Sequence, residues 1–576
     1  MTDRVPGSSR ARCSIRGPHD VIRGVNRTLP ARIAAGLAAL VAMAATAAVP
    51  TAPVRAADLG GATLSSPTQA IRWSGTFADA TGQGYNPPTE QTCTPSTCDT
   101  FVVDVEVPAG TFTRGQLNPA PPGTTTVHSE GPSTLPGDGV LISVKWATDF
   151  DQWNLFVDDM STGLNVAKGI DLDSNAQSIL LSMPHNGRYK VTVAPFYTAF
   201  APGDTHYDAE ARVQLDALQR QPAGTPLLPV IRTAAPTDFH LGDIPPILSN
   251  PTGWRFTPNG TFANSCYLDE TQQNGSTRCL RFDNNIENIG MGPLTLRFSY
   301  SPDAFVNNCA MAQEIIHSDA AVLDRNAGPC VFHQQHGHFH YQNMGRYQLF
   351  GVAADGTPTP APVAESKKVG FCTIDVDDIT FGQASPLRHP RTYSFPTCNI
   401  PNAASPVGGP FGPGATEYMG ISPGWGDVYT WDLPAQYIDI TDTTRVPDGL
   451  YLVVSRSNPD GGILTADRSL ETGVTCIRIA GSTVTEVRQF PSQSNTAPLP
   501  TCATRSASVG TGTNAANPGG AAVPGTTGAS AGNPNTSAVR APTVTVLAAA
   551  AALALITGRG RRRRRRAGVA DPSVAE

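Results

Sequence analysis

The fold is constrained most by a series of short runs in which apolar and polar residues alternate, each closed by turn residues. In the first half these are TFVVDVEVPA (100–109), GVLISVKWAT (139–148), WNLFVDD (153–159), SILLSMP (178–184) and GRYKVTVAPF (187–196). A period of two turns one face of a strand toward a core and the other outward. With 55 Gly and 51 Pro to break the chain, the pattern favours short strands and long loops over packed helices. Residues 57–210 are therefore expected to form a β-sandwich of jelly-roll size. They cluster neither His nor Cys, so binding or spacing is their expected role.

The proline-rich joint QRQPAGTPLLPVIRTAAP (219–236) leads into a second set of runs, among them TRCLRFDNNIENIG (277–290), PLTLRFSY (293–300), GRYQLFGVA (345–353), VGFCTIDV (369–376), QYIDITD (436–442) and GLYLVVSRSNP (449–459). A second, largely antiparallel β-domain with long loops is expected over 227–481. The fold class expected is all-β, with two β-sandwich-like domains.

The ends read differently. A basic leader and the apolar run LPARIAAGLAALVAMAATAAVP make 1–56 a signal peptide. Residues 503–542, rich in Ser, Gly, Ala, Thr, Asn and Pro, have little to bury and are expected to be a disordered stalk. TVTVLAAAAALALITG (543–558) before RGRRRRRR reads as a transmembrane segment with an Arg-rich cytoplasmic tail, 559–576. This order fits a bacterial surface protein, extracellular and anchored to the cell membrane, with the cell envelope as a partner.

Between 57 and 540 there are 26 basic and 43 acidic residues, a net charge of −17. Such a surface makes nucleic acid an unfavourable partner and attracts cationic amines or basic proteins. Apart from Cys13, ten of the eleven cysteines remain, an even number in a compartment that permits disulfides. The local pairs expected are Cys93–Cys98, Cys266–Cys279, Cys309–Cys330, Cys372–Cys398 and Cys476–Cys502.

The chemistry concentrates in HQQHGHFHY (333–341), which holds four of the eleven histidines. His336, His338 and His340 alternate, so on a strand their imidazoles would share a face, a donor set suited to Cu²⁺ or Zn²⁺. His333 would join them or orient another group. A zinc hydrolase would also need a placed carboxylate base, and the segment has none.

HQQHGHFHY, followed by the tyrosine of GRYQL, resembles the copper-binding signature of the lysyl oxidase family. KKVGFC (367–372) is similar to that family's segment carrying the precursor lysine, and ISPGWGDVYTWDLPAQYIDITD (421–442) to the one carrying the precursor tyrosine. The resemblance covers roughly 227–476, including LRFDNNIENIGMGPL. It implies copper held by His336, His338 and His340, and a lysine tyrosylquinone cofactor made from Lys368 and Tyr429. It further implies oxidative deamination of primary amines, peptidyl lysine among them, by O₂ to aldehyde, ammonia and hydrogen peroxide. Asp427, two residues before Tyr429, would share its strand side and is the candidate base for the substrate's α-proton.

The chain departs from the family pattern at Gln335 and Trp425, where animal members carry cysteine, and at Arg346, where a histidine is common. Arg388 and His389, in the Gly/Pro-rich stretch 375–419, read as solvated loop residues. The alternative to an enzyme is a non-catalytic, metal-binding surface adhesion protein that keeps the fold.

Overall fold

The computed structural model describes residues 60–76, 98–117, 134–147, 152–170, 174–197, 206–242, 262–263, 265–299, 309–333, 338–366, 368, 370–383, 385, 387–394 and 416–502. The expected signal peptide, stalk, transmembrane segment and Arg-rich tail lie outside them. Regular structure among the described residues is nearly all β.

In the first region a five-stranded sheet runs in the order Gly61–Leu64, Asp99–Val105, Gly187–Tyr197, Gln152–Asp159 and Leu164–Gly169. A four-stranded sheet runs Ala70–Thr76, His206–Gln214, Gly139–Lys145 and Ala176–Ser182. Their alternating apolar residues meet in one core that includes Val103, Val105, Val140, Ile142, Val144, Leu155 and Val191, with Trp146 stacked on Trp153 at 5.7 Å.

The second region holds three larger sheets. The central one is built on Cys279–Asn288, which pairs with Ile231–Thr233, Thr237–His240, Trp425–Tyr429 and Tyr437–Asp439. A second runs His338–Tyr341, Val322–His333, Cys309–Ile316, Leu294–Ser299 and Thr416–Ile421. A third runs Ala364–Glu365, Gly345–Gly351, Gly449–Ser457, Thr472–Ala480 and Thr483–Gln493. All three contribute to one core, through Phe282 and Trp425, Leu296 and Met419, and Tyr347 and Val453.

The helix Leu268–Asn274 is the only one among the described residues. The Glu270 carboxylate accepts the Tyr267 backbone N–H at 2.8 Å, and Gly275 ends the helix in a left-handed conformation with φ 70°. Disulfides join Cys266–Cys279, Cys309–Cys330 and Cys476–Cys502, three of the expected pairs. Cys98 and Cys372 are also disulfide-bonded; Cys93 and Cys398 lie outside the described residues.

Two expectations need correction. The chain is not two β-sandwich-like domains joined by a linker. The second region's three sheets share a core without closing into a sandwich, and the described residues of both regions fall in one compact unit. The physical reason lies in the four-stranded sheet, whose strand His206–Gln214 is buried on both faces over 209–214. Residues 209, 211 and 213 enter its own core, while Glu210, Arg212 and Gln214 are buried on the side the alternation assigns to solvent.

The transmembrane segment, and the membrane-anchored location that rested on it, are withdrawn. Among the described residues no helix is long and apolar enough to cross a membrane. Residues 543–558 lie outside them, and sixteen residues of helix would reach only about 24 Å against a hydrocarbon core of about 30 Å.

Candidate functional site

Asp427 and Tyr429 lie on the strand Trp425–Tyr429, whose register against the central strand sets Asp427 opposite Ile286 and Tyr429 opposite Asn284. Two residues apart, they share one face. The segment before Cys372 runs alongside, fixed where Phe371 and Tyr341 exchange backbone hydrogen bonds of 2.9 and 3.1 Å. Unlike the expected strand over 369–376, it forms no continuous ladder. Its peptide groups bond in turn to Tyr341, Gly420, Tyr393 and Gly426.

This arrangement brings Lys368 to Tyr429. The Lys368 Nζ lies 4.1 Å from the centroid of the Tyr429 ring and 4.9 Å from that of Phe371. The Tyr429 hydroxyl donates to the Cys372 carbonyl at 2.7 Å and accepts the Cys372 N–H at 3.0 Å. The Phe371 and Tyr429 rings stand nearly perpendicular, with centroids 4.7 Å apart and planes at 84°. Tyr347 extends the series, edge-on to Phe371 at 5.8 Å, with its hydroxyl 3.3 Å from Gln436.

All three predicted residues are buried: Lys368 is 6% exposed, Asp427 1% and Tyr429 7%. Neither the Lys368 Nζ nor the Asp427 Oδ2 has a hydrogen-bond partner. Burial pulls the Lys368 ammonium down to about 7, against the opposing attraction of Asp427. Burial also lifts the Asp427 carboxyl well above its ordinary range, with Lys368 and a hydrogen bond from the Ile374 backbone working the other way. Tyr429 is raised well above 10 by burial and then by Asp427. Both members of the Lys368–Asp427 pair are thus pushed toward their neutral forms.

The histidines are only partly described. The strand His338–Tyr341 pairs with Val322–His333, setting His333 opposite His338 and Val331 opposite His340. His340 is buried, and a Cβ added at Gly370 would stand 3.0 Å from the His340 Cβ, so this strand touches the lysine segment. His336 lies outside the described residues. Among the described residues no group of three or more His, Cys, Asp or Glu side chains could hold a metal ion. The expected three-histidine copper centre is therefore not assigned.

Sequence reasoning missed several residues. Asp375 is fully buried and accepts the Ser422 N–H and Oγ–H at 2.7 Å each and the Thr392 and Tyr393 N–H groups at 2.9 Å each. Burial still lifts it to about 6. No spacing marks it in advance. Arg388 and His389, expected in solvent, are buried: Arg388 pairs with Glu210 and Asp378, and the His389 carbonyl accepts the Trp425 Nε1–H at 2.9 Å. Arg346 is half-buried, its guanidinium 4.0 Å from Asp460.

The sequence matches no family model and no curated protein. Among solved structures, a calcium-binding mutant of Bacteroides uniformis beta-glucuronidase 2 is similar at 9% identity over 43% of this chain and 27% of its own, with a TM-score of 0.11. A likeness that shallow carries no argument about fold or chemistry.

Proposed function

We propose that this chain oxidises primary amines at a centre assembled from Lys368 and Tyr429, with Asp427 as the base. The observation that carries the reading is the buried Lys368 amine, unpartnered, 4.1 Å from the Tyr429 ring centroid. A lysine buried for packing alone would be expected to find an acceptor, because an unsatisfied buried polar group costs free energy. Here the orphaned Nζ and the orphaned Asp427 Oδ2 fit a pair of side chains awaiting a covalent link and a reactant.

Once linked, the two side chains would supply a quinone carbonyl that condenses with a primary amine, with O₂ as the oxidant. Everything else falls to the chain's own residues. Above pH about 7 the Lys368 nitrogen carries a free lone pair at Tyr429. The Cys372 peptide and the Phe371 ring fix the plane of the Tyr429 ring. Asp427, with no donor on Oδ2 and its carboxyl raised well above its ordinary range by burial, can take and hold a proton at that oxygen. Burial keeps water from competing.

His336, His338 and His340 are the residues that would hold copper, a fit that rests on the chemistry of three neutral imidazoles. The test is the visible spectrum of the full chain, metal-free and copper-loaded in air, before and after phenylhydrazine, beside Tyr429→Phe. The reading expects a hydrazine-sensitive band in the copper-loaded chain and none in the variant. Copper binding without such a band would instead favour a metal-binding protein without turnover.

A further inference from the structure

The segment Cys372–Arg391 has two edges. On one it holds the site: the Cys372 peptide clamps the Tyr429 hydroxyl, Ile374 bonds to Asp427, Val376 N–H donates to the Gly426 carbonyl at 2.9 Å, and Asp377–Asp378 pair with Gly426 and Trp425. On the other edge it is bound by the first region's four-stranded sheet. The Asn175 N–H and the Ser174 hydroxyl both donate to the Val376 carbonyl, at 3.1 and 2.6 Å. Lys145 Nζ reaches the Asp377 carboxylate at 2.7 Å and the Asp378 carbonyl at 2.9 Å.

At the centre of this contact stands Glu210, its side chain fully buried. Its carboxylate pairs with Arg388, with Arg212 at 2.8 Å and with Arg72 at 2.7 Å. Arg388 also donates to the Ser143 hydroxyl at 3.0 Å and to Asp378 at 3.2 Å. Arg72 and Arg212 continue onto the Gly382 and Gln383 carbonyls. A surface built for spacing or for binding an outside ligand would not bury this density of charge against its own chain, since burying ions is costly unless they are mutually paired.

We infer that the first region is a working part of the site, and that Glu210 and Arg388 are positioning residues which hold Cys372–Asp378 against the strand bearing Asp427 and Tyr429. The inference rests on the reading of Lys368 and Tyr429 given above only for its effect on reactivity; the brace itself can be measured without it.

The test compares the full chain with Glu210→Gln, Arg388→Gln and Arg388→Lys. One readout is amide hydrogen exchange over 372–379 and 423–429, with 449–457 as the remote reference strand; the other is the hydrazine-sensitive absorbance per mole of chain. The brace predicts that Glu210→Gln and Arg388→Gln stay folded, exchange about tenfold faster at the site segments but not at the reference strand, and lose absorbance. Arg388→Lys, which keeps the cation, should recover most of both.

Unchanged exchange at 372–379 in a folded Glu210→Gln chain would overturn the inference, as would equal acceleration at the reference strand. Should Glu210→Gln fail to fold, Lys145→Gln, at a partly exposed pair on the same segment, decides by the same exchange readout. A wild-type chain without the hydrazine band would defeat the amine-oxidase reading while leaving exchange to decide the brace.

Discussion

The Lys368 amine and the Tyr429 ring, from segments far apart in sequence, face each other at 4.1 Å inside the core, and the amine has no hydrogen-bond acceptor.

In the unlinked, metal-free chain, Lys368→Met is expected to be at least as stable as the wild type at pH 7 and to change how stability depends on pH. The lysine titrates near 7 when folded and at 10.5 when unfolded, so between those values the unfolded chain binds a proton that the folded chain lacks. The lysine's contribution to stability therefore rises with pH across that window, by up to about 1.4 kcal/mol per pH unit, and is flat below 7, while the raised Asp427 carboxyl acts in the opposite sense. Urea denaturation from pH 6 to 10 should show the wild type gaining on the variant as pH rises.

Tyr429→Phe removes a hydroxyl that both donates to and accepts from the Cys372 peptide. Losing these two buried hydrogen bonds is expected to cost about 1–3 kcal/mol. Chemical denaturation measures the cost, and the loss should come with complete loss of any hydrazine-sensitive absorbance.

Asp427→Asn should separate assembly from turnover. The amide cannot accept the α-proton, so amine oxidation is expected to fall by about 10²–10⁴-fold. Titration with phenylhydrazine should meanwhile give the same number of reactive centres per chain. A proportional fall in both would mean that Asp427 acts in assembly instead.

Gly370→Ala probes the contact between the histidine strand and the lysine segment. The new Cβ would press to 3.0 Å on the His340 Cβ and 3.3 Å on the Tyr341 carbonyl. Overpacking of this kind costs about 1–3 kcal/mol. A thermal melt should register that loss, and the displaced Lys368 should form the cofactor in lower yield.

Strand positions were legible in the sequence wherever one face was apolar. GVLISVKWAT and WNLFVDD read as strands because Val140, Ile142 and Leu155 enter a core at alternate positions. The strand His206–Gln214 was not among the runs so read, and its outer face holds Glu210 and Arg212, covered by Arg388 and Gln383, distant in sequence. Periodicity reports which residues avoid water and is silent about a polar face covered by its own chain.

At the site, Lys368, Asp427 and Tyr429 were singled out through resemblance to known motifs. A lone lysine and a tyrosine between tryptophans carry no periodic signal of their own. Asp375 was missed as a site residue because its role comes from tertiary packing: four donors converge on one carboxylate.

The most direct test of the central claim is tandem mass spectrometry of the proteolysed full chain after incubation with copper and air. The account predicts one cross-linked species joining the peptide that contains Lys368 to the peptide that contains Tyr429, lost in both Lys368→Met and Tyr429→Phe. Recovery of the two peptides separate and unmodified from copper-loaded, folded protein would contradict it.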